Sequence, residues 1–133
     1  MQTPVCALER RDGVDPSRRA EDAPSAEDET ELERWIVCAT CEHPITRPSD
    51  RVSMFGSHLH DRVNPAGVAF AIGLFARADG VALAGAPSDE FPWFPRHWWT
   101  IALCAGCLGH LGWRFTKNGD AFYGLIVDAL LER

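Results

Sequence analysis

Trp98-Trp99-Thr100-Ile101-Ala102-Leu103-Cys104-Ala105-Gly106-Cys107-Leu108-Gly109-His110-Leu111-Gly112-Trp113-Arg114-Phe115-Thr116 is the stretch that decides the fold. Its first six residues have the aromatic and β-branched character of a strand, and Trp113 to Thr116 alternates with period two as another strand does. Between them, Cys104 and Cys107 stand about one tight turn apart, the spacing at which two thiolates reach one ion at about 2.3 Å. The spacing recurs once, at Cys38-Ala39-Thr40-Cys41. Two such knuckles make a tetrahedral four-sulfur site of Cys38, Cys41, Cys104 and Cys107, and zinc is the expected ion. Four thiolates leave no open position for water or substrate, so the ion is expected to stabilise the fold rather than to activate a nucleophile. His43, His97 and His110 lie close to the knuckles in sequence, but the sulfurs already complete the shell.

The knuckles are 62 residues apart, whereas a compact zinc ribbon separates its pairs by about 15 to 20. The ion is therefore expected to tie two distant parts of a β structure together and to leave room for a pocket away from the metal. The intervening texture agrees, with short apolar stretches punctuated by turn residues. Trp35-Ile36-Val37 leads into Cys38, Ser53-Met54-Phe55 stops at Gly56, Val68 to Ala76 follows the turn Asn64-Pro65-Ala66-Gly67, and Val81 to Leu83 follows Asp79-Gly80. Phe122 to Leu131 fits helix and strand equally. The expected class is all-β, a small and mostly antiparallel domain.

The chain has 133 residues and a mass of 14.7 kDa, and 46% of it is apolar, enough for one domain with a core of its own. Its formal net charge of -6 is uneven. Residues 1–34 carry ten acidic and five basic side chains, and residues 35–133 carry nine and eight. With Pro4, Pro16, Pro24 and the run Glu27-Asp28-Glu29, residues 1–31 read as a disordered acidic arm and residues 32–133 as the folded domain. A nearly neutral body with the single lysine Lys117 lacks the clustered cations that phosphate backbones or anionic membranes need, so neither nucleic acid nor membrane is expected as a partner. No apolar run approaches the roughly 20 residues of a spanning helix. No secretory leader is evident at residues 1–11, so a cytoplasmic location with reduced or metal-bound cysteines is expected.

Four of the five tryptophans fall within Phe91-Pro92-Trp93-Phe94-Pro95-Arg96-His97-Trp98-Trp99 and Gly112-Trp113-Arg114-Phe115, on either side of the second knuckle. Indoles are bulky and are rarely buried completely. Trp93, Trp99 and Trp113 together suggest a flat-walled cage, although any one of them could be an ordinary core residue. A cage of uncharged rings accepts a cation over its faces. It also accepts a flat neutral ring, provided that main-chain groups meet the ring's polar edge. Glu90-Phe91-Pro92-Trp93 can supply such groups through the Phe91 C=O and the Trp93 N–H. These residues leave the two ligand classes open.

The pattern formed by the two knuckles, Val63-Asn64-Pro65, Gly85-Ala86-Pro87-Ser88, Trp93-Phe94, Trp99-Thr100 and His110-Leu111-Gly112-Trp113-x-Phe115 resembles the CULT domain, the thalidomide-binding domain of the cereblon family, and especially its single-domain bacterial members. The likeness runs from about Trp35 to Leu131. It implies a β-tent, two antiparallel sheets meeting near a structural zinc, and a three-tryptophan pocket for cyclic imides such as the glutarimide of thalidomide. By position, Trp93, Trp99 and Trp113 would be the walls and Phe115 the floor. Phe91 and Trp93 would give main-chain hydrogen bonds, and Asn64 and Pro65 would border the mouth. Animal members carry His at the positions of Phe91 and Ala66, a departure that touches the rim more than a contact made through the backbone.

The resemblance thus implies a binding module without catalytic residues, whose ligands are cyclic imides, uracil-like rings or the cyclised C-termini of damaged proteins. No ubiquitin-ligase adaptor is implied, because the Lon-like domain and the adaptor-docking segment have no counterpart in these 133 residues. A methionine sulfoxide reductase of the B type shares the tent and the knuckles, but it needs a pocket cysteine. The one cysteine outside the knuckles is Cys6. An aromatic cage for methylated ammonium groups or for a protein partner is the third reading.

Overall fold

The computed structural model describes residues 34–133. The expected acidic arm at residues 1–31, with Cys6, lies outside the described residues. Nine strands follow in order: β1 Ile36–Cys38, β2 Pro44–Thr46, β3 Leu59–Val63, β4 Ala69–Phe75, β5 Val81–Ser88, β6 Trp98–Cys104, β7 His110–Lys117, β8 Asp120–Ile126 and β9 Leu130–Glu132. They form two antiparallel sheets, one of three strands in the order β2-β1-β9 and one of six in the order β3-β4-β8-β7-β6-β5. This is the all-β tent that the sequence pattern implied.

The larger sheet carries a buried cluster on each face, and period-two alternation decides which side chain goes where. Along β4, Ile72 and Leu74 join one cluster with Phe94, Phe115 and Phe122, while Phe75 joins another with Ile36, Cys38, Ile45, Cys104, Leu111 and Leu125. The second cluster fills the space between the two sheets. The first lies on the opposite face, covered by the connection from β5 to β6, residues 89–97. Phe94 nails this connection down, since it is only 1% exposed and packs edge-on to Phe115 at 4.9 Å and to Phe122 at 5.4 Å. Ring pairs at these separations add about 0.5–1.5 kcal/mol each to the burial itself.

The expected strands at Trp35–Cys38, Val68–Ala76, Val81–Leu83, Trp98–Leu103 and Trp113–Thr116 are all present, with β5 running on to Ser88. Ser53-Met54-Phe55 is different. Met54 and Ser57 exchange two main-chain hydrogen bonds of 3.0 and 3.1 Å around Phe55 and Gly56, both with positive φ, so Gly56 turns the corner of a two-residue hairpin instead of ending a strand. The ambiguous C-terminal stretch divides into β8, a 3-10 turn at Val127–Ala129 and β9. β9 then pairs with β1 in the smaller sheet.

Candidate functional site

The two knuckles fold alike. In each, the first cysteine's C=O accepts from the N–H four residues on (Glu42 to Cys38 at 2.8 Å, Leu108 to Cys104 at 2.7 Å), and its N–H donates to the C=O five residues on (His43, 2.9 Å; Gly109, 2.8 Å). Glu42 and Leu108 both take the left-handed conformation that closes such a turn. β1 delivers Cys38 from the smaller sheet and β6 delivers Cys104 from the larger, so the cluster sits where the sheets meet. Gly106 lets the knuckles approach, since a Cβ there would stand 2.9 Å from His43 Cβ and 3.2 Å from Cys41 Sγ.

The four sulfurs lie within 4.8 Å of one another, with Cys38 to Cys107 at 3.8 Å and Cys41 to Cys104 at 3.5 Å. A tetrahedron with zinc–sulfur bonds of about 2.3 Å has edges of about 3.8 Å. The cluster therefore fits a structural zinc ion, as the spacing predicted. The Gly106 N–H donates to Cys104 Sγ at 3.3 Å, an outer contact of the kind that orients a metal-bound thiolate. Among the thiols themselves, burial raises Cys38, but N–H groups of Cys41 and Thr40 and the neighbouring thiols bring it down to about 7. At Cys41 the His43 backbone pulls down, yet burial and the other three sulfurs push it up to about 12. Cys41 thus holds its proton until a cation replaces it.

On the other face of the larger sheet, register assembles the aromatic site. Trp99 pairs with Phe115 and Ile101 with Trp113, so all four side chains share one face. Phe122 and Gly124 of β8 continue that face opposite Phe115 and Trp113. Gly124 leaves the space its neighbours need: a Cβ there would stand 2.8 Å from the Phe115 ring and 2.9 Å from Ile72 Cδ1. Trp93 arrives from the 89–97 connection and meets Trp113 edge-on, with centroids 4.5 Å apart and planes at 69°. Phe70 backs both rings at 6.0 and 5.3 Å.

Together Trp93, Trp99, Trp113, Phe91, Phe115, Asn64 and Pro65 line one cavity of about 410 Å³, with Glu90, Ile101 and His110. The volume is within the range of small-molecule sites. Of these lining residues Phe115 is 2% exposed and Phe91 67% exposed. The Trp99 Nε1–H donates to the Glu90 C=O at 2.7 Å and the Trp93 Nε1–H to the Val63 C=O at 3.1 Å. Phe91 has φ of 49°. Among the described residues, neither the Phe91 C=O nor the Trp93 N–H has a hydrogen-bond partner. Glu90, Ile101 and His110 were not singled out as lining residues from the sequence. Ile101 could have been found by parity, two residues after Trp99 on the same strand. His110 packs edge-on to Trp113 at 4.7 Å with Nε2 3.1 Å from the Gly112 C=O, and no sequence signal marks that.

No protein-family model matches the chain. Among curated proteins it is similar to "Protein cereblon" of Xenopus tropicalis, 40% identical over 115 residues, 77% of this chain and 26% of that protein. The same protein of Danio rerio is 38% identical over 104 residues, 72% of this chain and 24% of the relative, and that of Gallus gallus is 41% identical over 76 residues, 53% and 17%. The chain thus spans about a sixth to a quarter of the length of these relatives.

Proposed function

The chain belongs to the cereblon family through its CULT domain, and from that premise we propose that it is a zinc-stabilised binding module whose tryptophan cage takes the flat ring of a cyclic imide. The observation that carries the proposal is an unpartnered pair on two residues that line the cavity, an acceptor at the Phe91 C=O and a donor at the Trp93 N–H. An imide edge presents the complement, an N–H beside a C=O. Trp93, Trp99 and Trp113 would enclose the ring, Phe115 would support it from below, and Asn64 and Pro65 would border the entrance. Glutarimide, the corresponding part of thalidomide, uracil-like rings and the cyclised C-terminus of a damaged protein all share that edge.

No covalent step is needed for this role, and among the described residues no cysteine lines the cavity, so the reductase reading finds no nucleophile there. The proposal concerns the domain alone and carries no adaptor partner with it. Four cysteines left free of disulfides and gathered as metal ligands suit a reducing compartment, which makes the cytoplasm the proposed location.

Calorimetric titration with glutarimide, thalidomide and uridine tests the reading against N-methylglutarimide and tetramethylammonium. The N-methyl compound loses the donor and leaves a desolvated acceptor, at a cost of about 1–3 kcal/mol or about 5- to 150-fold in affinity. Equal binding of the parent and methylated imides refutes the assignment, and binding of tetramethylammonium in their place makes the cage a cation site.

A further inference from the structure

The 89–97 connection is fixed at two places that do not include Trp93 itself. Near its start, the Glu90 N–H donates to Ser88 Oγ at 3.1 Å and the Glu90 C=O accepts from Trp99. In its middle, Phe94 is sunk in the core. Trp93, which offers both a wall and a main-chain donor, is held by β3. Arg62 Nε–H donates to the Trp93 C=O at 3.3 Å, and the next residue, Val63, accepts from the Trp93 indole. The guanidinium is fixed in its turn: its carbon lies 4.8 Å over the Phe94 ring, one terminal N–H donates to the Asp61 C=O at 2.8 Å, and the other nitrogen lies 3.4 Å from His60 Nδ1.

We propose that Arg62 is a positioning residue for the cage, a clamp that holds the Trp93 main chain on β3 so that the indole wall and the adjoining N–H keep their places. The work is done by the planar fork and not by charge alone. A guanidinium can lie on the Phe94 face while its edge reaches three separate acceptors, whereas a lysine ammonium is a point donor on a flexible stem. The consequence for ligand rests on the imide reading above. The consequence for Trp93 does not.

Two measurements on the full chain separate them, each made on Arg62→Ala and Arg62→Lys. The first is hydrogen exchange of the indole N–H groups by NMR without ligand. Trp93 Nε1–H is expected to exchange about tenfold faster in both variants, the loss of a charge-assisted bond worth about one factor of ten, while Trp99 Nε1–H, held by Glu90, stays within twofold of wild type. The second is glutarimide affinity, expected to fall about tenfold in both variants with zinc content unchanged. Wild-type behaviour of Arg62→Lys, unchanged exchange at Trp93, or equal acceleration at both indoles would each overturn the clamp, the last by showing general loosening. If wild-type protein takes no glutarimide, the imide reading fails while exchange still decides the role of Arg62.

Discussion

Trp99 does two things in the cage, and substitution separates them. Its ring is one wall of the cavity, and its Nε1–H fixes the Glu90 carbonyl at 2.7 Å, one residue before the proposed acceptor Phe91. Trp99→Phe keeps a flat wall and deletes the bond, so affinity for glutarimide should fall by what one such bond contributes, about 1 kcal/mol or fivefold. Trp99→Ala removes the wall as well. Stacking a planar heterocycle on an aromatic side chain contributes about 1–3 kcal/mol by alanine substitution, so the sum reaches about 2–4 kcal/mol, or about 30- to 900-fold. Trp99 is only half-buried and Thr100 points to the opposite face of the sheet, so both variants should stay folded. Calorimetry gives the affinities, and thermal melting by circular dichroism checks the fold. The reasoning fails if Trp99→Ala binds like wild type, or if Trp99→Phe loses as much as Trp99→Ala.

The zinc centre should show one ion per chain by mass spectrometry, and chelation should lower the melting temperature, because two of its ligands end strands of different sheets. Zinc uptake should release protons, and affinity should rise with pH, since Cys41 is pushed up to about 12 and must give up its proton to become a ligand; calorimetry in buffers of different ionisation enthalpy measures this. Gly106→Ala places a methyl 2.9 Å from His43 Cβ and 3.2 Å from Cys41 Sγ. It should cost about 1–3 kcal/mol in stability and weaken zinc in competition with a chelator. Gly112→Ala meets the Gly124 carbonyl oxygen at 2.1 Å and Leu125 Cα at 2.9 Å, backbone that cannot step aside, so it should cost about 3 kcal/mol or more in denaturant unfolding.

Much of this architecture was legible because its signals are local. A Cys-x-x-Cys knuckle is one turn long, and the alternation of Trp113-Arg114-Phe115 declares its own face. β3 shows the limit. Leu59-His60-Asp61-Arg62-Val63 puts two charges and an imidazole in five residues, and its apolar ends Leu59 and Val63 point to solvent, 59% exposed each. Only its pairing with β4 makes it a strand. β2 is three residues long and begins with Pro44, so nothing in it announces a strand either. The roles of Arg62 and Glu90 were hidden for a similar reason: their cage contacts are bonds from a side chain to a main-chain carbonyl across 31 and 9 residues, and a sequence pattern records side-chain types, not carbonyl directions.

The metal and the cage occupy opposite faces of the larger sheet, yet β6 and β7 carry both, which makes strand register the link between them. From Trp98↔Thr116 to Ala102↔Gly112 the two strands pair without a break, and this register sets Trp99, Ile101, Trp113 and Phe115 on one face. The knuckle requires another, since it closes with Leu103 opposite His110. The two registers differ by one residue, and a slip of one turns every side chain to the other face. Leu111 absorbs the difference as the extra residue of a bulge, 1% exposed in the cluster beside Cys38 and Cys104. Beside the bulge, Gly112 has no room for a Cβ, which would meet the Gly124 carbonyl. Leu111-Gly112, which looks like filler between His110 and Trp113, is therefore what allows one pair of strands to end in a metal knuckle and still present three aromatic rings to a cavity on the opposite face.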